Sequence, residues 1–269
     1  MGVIESALAD VADRVATAAA DRVRTAGEEM RGGRSVRVDT KSSITDVVTA
    51  VDRDTERFVR DMLAELRPGE AVLGEEEGGA PGEGVTWVVD PIDGTVNFLY
   101  GYPWFAVSVA AQVDGVSVAG AVVEPVSGRR WTAARGAGAR VDGRPLRVSA
   151  PTGLDVTLLS TGYAYRRDRR TRQAEMVAAM LGRVRDVRRA GASSLDLCAV
   201  AAGWVDAYVE HGLSRWDWAA GALIAAEAGA VVALPGEAAD LGEDATFAAA
   251  PTIAAPLRAA LVESGAAKV

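Results

Sequence analysis

Apolar side chains return at helical spacing along the first thirty residues. Ile4, Leu8, Val11 and Val15 share one face, which predicts an amphipathic helix over residues 3–30. A Gly/Arg-rich turn, RGGRSVRVD, and a polar segment, TKSSITDVVTAVD, follow. DRDTERFVRDMLAEL predicts a second helix over residues 52–66, stopped by Arg67-Pro68-Gly69. AVLGEEEGG reads as a short strand running into an acidic turn, and VTWVV as another strand. Three apolar runs, FAVSVAAQV, VSVAGAVVEP and RRWTAA, suggest neighbouring strands, with Asp114-Gly115 as a hairpin turn between the first two. VDGRPL is a further turn.

The small-residue and proline break at 150–153 is the expected domain boundary. It divides an N-terminal α+β subdomain, 1–149, from a C-terminal α/β subdomain, 150–269. In the second, strands VTLLSTG, VRDVRR, VDAYVE and AVVAL alternate with helices at QAEMVAAML, SSLDLCAVAAG, WDWAAGALIAAEAG and 256–263. That alternation indicates an α/β fold class.

Composition narrows the chemistry. With 49% apolar residues among 269, the chain can bury a sizeable core. A formal net charge of -8 argues against a broad nucleic-acid or anionic-membrane footprint. Cys198 is the single cysteine and His211 the single histidine. An internal disulfide and a zinc site of several cysteines or histidines are therefore excluded, and a Ser-His-Asp triad would need His211. Any metal must be held mainly by oxygen, which favours Mg2+ or a similar hard ion. The N-terminus lacks the basic start and continuous apolar run of a signal peptide, and no apolar run reaches ~20 residues. The expected location is cytoplasmic.

The carboxylates then stand out. In WVVDPIDGTVNF an apolar strand ends in Asp90 and Asp93, stiffened by Pro91. Without a cation their repulsion would raise at least one pKa. Gly94-Thr95 would open a helical turn whose free N–H groups suit an anion. Glu75 in GEEEG follows a strand, while Asp217 and Asp52 each sit where a helix starts. Each has a bland alternative: a capped turn for Asp90 and Asp93, a solvated turn for Glu75, an N-cap for Asp52 and Asp217. The spacing does not fit an EF-hand loop.

Taken together, DPIDGTVNF, the upstream GEE and the downstream WDWAAGALIAAEAGA resemble the signatures of the inositol monophosphatase family. That family belongs to the magnesium-dependent, lithium-sensitive phosphatase superfamily that also contains fructose-1,6-bisphosphatases. Lys41, TAVD, GEE, DPIDGT, GASSLDLCAVAAG, YVEHG and WD occur in the family's order over nearly the whole chain.

The resemblance implies a layered αβαβα sandwich, a homodimer, and a phosphatase using two to three Mg2+ ions. It implies that Glu75, Asp90 and the Ile92 carbonyl hold one metal, that Asp90, Asp93 and Asp217 hold a second, and that a third lies near Glu75. Asp52 and Thr95 resemble the pair that orients or deprotonates the attacking water. Gly94 and Thr95 would bind phosphate, with Asp93 beside them. Lys41 would lie on a loop over the site, and Glu76 would support Glu75. Glu210 resembles a residue that binds substrate hydroxyls, and Gly191, Ala192 and Ser193 match a pocket loop. GASS departs there from the small apolar or Thr residues of common relatives.

His211 is expected to be structural. Arg188 and Arg189 would serve the substrate side or a subunit contact, and YAYRRDRRTR reads as a solvated helix start. The expected reaction is hydrolysis of inositol 1-phosphate. Histidinol phosphate, fructose 1,6-bisphosphate and a 3′-phosphonucleotide are the alternatives; Tyr163 and Arg166 would serve a nucleotide. A regulatory protein acting on RNA or the transcription machinery is the alternative of another class.

Overall fold

The structure is a computed structural model, described over residues 2–33, 38–40 and 47–269. Lys41 lies outside the described residues. In chain order the first half comprises α1 (Gly2–Arg31), β1 (Val38–Thr40), β2 (Val47–Thr49), α2 (Ala50–Leu66), β3 (Ala71–Gly74), β4 (Val85–Asp93), α3 (Thr95–Tyr100), β5 (Ala106–Val113), β6 (Val116–Val123), β7 (Arg130–Ala134), β8 (Gly138–Val141) and β9 (Arg144–Pro145). The second comprises β10 (Leu158–Thr161), α4 (Arg167–Leu181), β11 (Asp186–Arg188), α5 (Ser193–Ala201), β12 (Ala207–His211), α6 (Arg215–Glu227), β13 (Val231–Ala233), β14 (Ala245–Ala249) and α7 (Ala254–Glu263).

Strands β3 to β9 form a seven-stranded sheet in sequence order, antiparallel except for the parallel β3–β4 pair. A five-stranded sheet has the order β11-β10-β12-β14-β13, with β11, β10 and β12 parallel and β14 antiparallel to β12 and β13.

Strand alternation sorts these sheets into layers. Trp87, Val89, Val107, Val109, Ala119 and Ala121 face α1 and α2, where they pack with Leu8, Val15, Val23, Val59 and Leu63. Val88, Ala106, Ala110 and Val122 face the opposite way, onto α5 and α6. Tyr208 and Ala248 close that middle layer from the five-stranded sheet. Their neighbours Ala207, Val209, Phe247 and Ala249 point outwards, onto Met176 and Met180 of α4 and Leu257 and Leu261 of α7. The result is an αβαβα sandwich, as expected from the resemblance. Each fully buried Val, Leu or Phe contributes about 1.5–3 kcal/mol relative to exposure.

Two glycines set how closely the middle layer packs. A Cβ on Gly120 would lie 3.0 Å from the Ala220 Cα of α6, and one on Gly221 2.9 Å from the Ser194 carbonyl of α5. Helix α6 therefore lies directly against both β6 and α5, with its N-terminal turn beside the end of β4.

Several local expectations change. Asp52 does not cap α2. Thr49 does, and Asp52 sits three residues later, closing a capping box. Asp217 likewise lies inside α6, behind the N-cap Ser214. The arginine-rich stretch is the exposed start of a helix, as expected, and α4 begins at Arg167, ahead of QAEMVAAML. Strand β14, central in its sheet, has no clear pattern in ATFAA: buried alanines, needed for helix packing on both faces, carry little β propensity.

Candidate active site

Asp90 and Asp93 are three residues apart, so in a regular strand they would face opposite sides of the sheet. They do not, because β4 gains a residue relative to β5. Asp90 pairs with Ser108, whereas Asp93 pairs with Ala106. This β-bulge turns both aspartates to the face of Ala106 and Ala110, towards α5 and α6. Pro91 sits at the bulge, where no ladder donor is needed. The Ile92 N–H donates to Asp90 Oδ1 at 3.0 Å and fixes that carboxylate.

Asp217 arrives from the first turn of α6, held by the Ser214 N–H at 2.6 Å from Oδ2. One oxygen each from Asp90, Asp93 and Asp217 lies within 4.8 Å of the other two. Glu75 comes alongside because β3 runs parallel to β4: its N–H donates to the Val89 carbonyl at 3.2 Å. Burial pushes Asp90 and Asp217 well up from the usual carboxylate range, and the negative charges of Glu75 and Asp93 add to it. Asp93 is raised to about 6, burial outweighing donation from Ser194.

These are all oxygen donors, Asp90 and Asp93 buried and Glu75 and Asp217 half-buried, and each is surrounded by charge of its own sign. That set fits a hard divalent cation, which turns the repulsion into attraction.

Asp93 is also held by α5. Its oxygens accept from the N–H groups of Ser193 (3.2 Å) and Ser194 (2.7 Å) and from the Ser194 hydroxyl. A carboxylate from another segment thus caps this helix, whose own N-cap residue, Ala192, has no side-chain acceptor. Ser193 reaches the site through Asp93 as well as by lining the cavity.

Asp52 lies close by. Its Oδ2 accepts from the Thr49 N–H (2.9 Å) and hydroxyl, and its Oδ1 lies 3.0 Å from Thr95 Oγ1. Thr95 Oγ1 also lies 3.0 Å from the Ile92 carbonyl oxygen, so one hydroxyl proton faces two acceptors. Burial raises Asp52 to about 6. Gly94 has φ 89°. A Cβ there would come within 3.1 Å of the Trp104 carbonyl and 3.2 Å of Ala192, so a larger residue would be both crowded and strained in its backbone.

Sequence reasoning missed Glu56. It is fully buried in α2, pairs with Arg60 at 2.8 Å, and accepts the N–H groups of Glu76 (2.7 Å) and Glu77 (3.0 Å). A Cβ on Gly74 would lie 2.1 Å from its Oε1. Glu56 thereby shapes the turn that carries Glu75. A signal existed: Asp52, Glu56, Val59 and Leu63 share the buried face of α2, so two acids interrupt an apolar stripe. Glu76 is held by this bond, and Glu77 is an exposed partner of Arg57 at 2.7 Å.

The five-stranded sheet contributes Glu210, expected from the resemblance on the substrate side, to the wall of the same cavity. Glu210 is raised to about 7 by burial, and the Tyr208 hydroxyl donates to it at 2.6 Å. A Cβ on Gly162 would collide with its carboxylate at 1.8 Å. Asn97 ties the loop of Gly191 and Ala192 to α3, donating to the carbonyls of Trp104 (2.7 Å) and Ala190 (2.9 Å). A cavity of about 730 Å³ joins Glu75, Asp90, Asp93 and Asp217 to Gly191, Ser193 and Glu210.

His211 is buried, bonded through Nε2 to the Leu241 carbonyl at 2.7 Å, and burial lowers its pKa. Arg188 is exposed and paired with Asp186, whereas Arg189 lines the cavity. Cys198 is buried and its thiol pushed up, which leaves it unreactive.

Comparison with known proteins identifies the family. The model of the inositol monophosphatase family matches residues 7–266. An inositol-1-monophosphatase of Mycobacterium leprae is 55% identical over 270 residues, covering 93% of this chain and 92% of that one. A protein of Pseudomonas aeruginosa called Nus factor SuhB is 45% identical over 194 residues, 70% of this chain and 72% of that one. The solved structure of Mycobacterium tuberculosis SuhB superposes with a TM-score of 0.84 at 46% identity, covering 97% of this chain and 98% of that one. The chain therefore belongs to the inositol monophosphatase family, and it is a phosphatase, an enzyme acting on small phosphorylated substrates. Among the described residues, no helix is long and apolar enough to cross a membrane.

Proposed function

We propose that the protein hydrolyses phosphate monoesters with Mg2+, inositol 1-phosphate foremost. The observation that carries this is the convergence of Asp90, Asp93 and Asp217 from two elements of the fold, with Glu75 brought alongside by a third. Glu75, Asp90, Asp93, Asp217 and the Ile92 carbonyl would hold two to three ions. Bound there, Mg2+ supplies positive charge against the phosphate oxygens and acidifies a water.

The chain's own residues do the rest. Gly94 and Thr95 present backbone N–H groups to the phosphate, with the glycine keeping that approach open. Thr95 Oγ1 takes a proton from the attacking water while passing its own to Asp52 Oδ1, 3.0 Å away. Raised to about 6, Asp52 is ionised at neutral pH yet basic enough to keep the proton. Glu210, fixed by Tyr208 and Gly162, orients the hydroxyls of the alcohol portion, with Gly191, Ala192 and Ser193 as the facing wall.

The name of the Pseudomonas relative favours a second reading, a role with the transcription machinery. The complete carboxylate set supports catalysis whether or not that role exists. The test is phosphate release from inositol 1-phosphate, fructose 1,6-bisphosphate, histidinol phosphate and adenosine 3′,5′-bisphosphate, with Mg2+ and with added Li+. Mg2+-dependent release that Li+ suppresses is expected; no metal-dependent release from any ester refutes the phosphatase assignment.

A further inference from the structure

Asp90, Asp93 and Asp217 are not held in the same way. Asp90 is fixed by the Ile92 N–H and Asp217 by the Ser214 N–H, both backbone donors. Asp93 takes a side-chain hydroxyl as well. Its Oδ2 accepts from the Ser194 N–H at 2.7 Å and from the Ser194 hydroxyl, while its Oδ1 accepts from the Ser193 N–H at 3.2 Å. Helix α5 does not itself call for that hydroxyl. Alanine at 194 would have the higher helix propensity and would keep the backbone bond to Asp93. Ser194 is fully buried, and a buried hydroxyl is costly unless it is bonded. The bond to Asp93 offsets that cost.

The platform behind the hydroxyl is fixed. All nine residues of α5 are buried, and a Cβ on Gly221 of α6 would lie 2.9 Å from the Ser194 carbonyl. The neighbouring Ser193 Oγ lies 3.2 Å from the Asp217 carbonyl oxygen and 3.5 Å from Asp93 Oδ1. The start of α5 therefore touches both elements that bring aspartates to the cluster. Asp93 has an oxygen within 4.8 Å of oxygens of Asp90 and Asp217. Without a cation, repulsion favours swinging one of these side chains away. A hydroxyl donor on a packed helix opposes that rotation.

We propose that Ser194 is a positioning residue for the cation site, its hydroxyl holding Asp93 in place and so setting the affinity of the ion that Asp93 would share with Asp217. This rests on the proposed metal-dependent reading of the carboxylate cluster. Ser194 acts through Asp93. Partners of this kind, standing behind a ligand, are worth about 10–100-fold in metal affinity.

Calorimetric titration of the metal-free protein with Mn2+ tests this without turnover. Ser194→Ala should raise the Kd of one bound ion by about tenfold or more. Ser194→Thr keeps the hydroxyl and should restore most of that affinity. In the phosphatase assay, Ser194→Ala should need about tenfold more Mg2+ for half-activity. A merely structural serine would lower the melting temperature in EDTA and leave both metal readouts unmoved. If Ser194→Ala does not fold, Ser194→Cys, which fills the same space with a weak donor, replaces it, and the same weakening is expected. Equal Mn2+ affinity in wild type and the Ala or Cys variant overturns the proposal and leaves the metal reading standing. So does a Thr variant weakened as far as Ser194→Ala, because packing rather than the hydroxyl would then be responsible. A wild-type protein that binds no Mn2+ overturns the metal reading, and the proposal with it.

Discussion

Helices α2 and α6 start in the same way. Thr49 precedes Asp52 by three residues, Ser214 precedes Asp217 by three, and in both the cap residue's N–H donates to the aspartate, at 2.9 and 2.6 Å. The difference lies in what meets the second carboxylate oxygen. Asp52 Oδ1 faces the Thr95 hydroxyl. Asp217 instead joins Asp90 and Asp93. One local device, which ordinarily only starts a helix, thus sets one carboxylate against a hydroxyl and another among carboxylates; on the proposed function the first would be a proton acceptor and the second a cation ligand. Tertiary neighbours, not the motif, assign the task.

The largest expected effect separates the two aspartates. Asp217→Asn should lower kcat/KM by roughly 10³-fold or more, since cation binding supplies several kcal/mol of transition-state stabilisation. It should also remove repulsion, so in EDTA at pH 8 the variant melts no lower than wild type. Calorimetric Mn2+ binding should weaken with it. Asp52→Asn should cost about 10²–10⁴-fold in kcat while Mn2+ binding persists. If both variants lose the cation equally, the distinction between the two helix starts fails.

The clustered acids also predict how stability follows pH. Asp52 and Asp93 are raised to about 6 and Glu210 to about 7, each chiefly by burial. The folded state therefore binds protons more tightly than the unfolded chain, whose carboxylates titrate near 4. This contribution is fully present below about pH 4 and is lost as pH rises through about 6 to 7. Without divalent ions, the melting temperature should fall between pH 5 and pH 8. The Mg2+-induced increase should grow over the same interval, because cations and protons compete for these oxygens. A metal-free protein more stable at pH 8 than at pH 5 would contradict the cluster's electrostatics.

Much of this was legible in the sequence, and the exceptions have physical causes. Asp90, Asp93, Glu75 and Asp217 sit at junctions between elements, where DPIDGT, GEE and WD leave a local trace. The bulge that aligns Asp90 with Asp93 leaves none, because it arises from register against β5. Strand β14 was hidden by alanines chosen for packing rather than for strand propensity. Capping of α5 by Asp93, 100 residues upstream, is a purely tertiary bond. Glu56 was missed because an i,i+4 pair with Arg60 looks like an ordinary exposed helix pair until its burial is known. Glu56→Gln should destabilise the protein by about 1–3 kcal/mol by weakening bonds to buried donors. It should also raise the Mg2+ concentration for half-activity, since the turn carrying Glu75 loosens. Unchanged Mg2+ activation would make Glu56 purely structural.

The smallest expected effect returns to the two caps. Thr49 holds Asp52 with its hydroxyl as well as its N–H, and Thr49 Oγ1 also accepts from the Val51 N–H at 3.1 Å. Thr49→Ala should cost about 0.5–2 kcal/mol, the usual loss for a helix cap. Because that hydroxyl favours the ionised form of Asp52, its removal should push the acid limb of the kcat profile to higher pH. Ser214→Ala keeps the backbone N–H that holds Asp217, so it should lower the melting temperature without moving that limb. Matched shifts in the two variants would mean that the caps act on catalysis only through helix stability, and that Asp52 is not the group whose ionisation the rate follows.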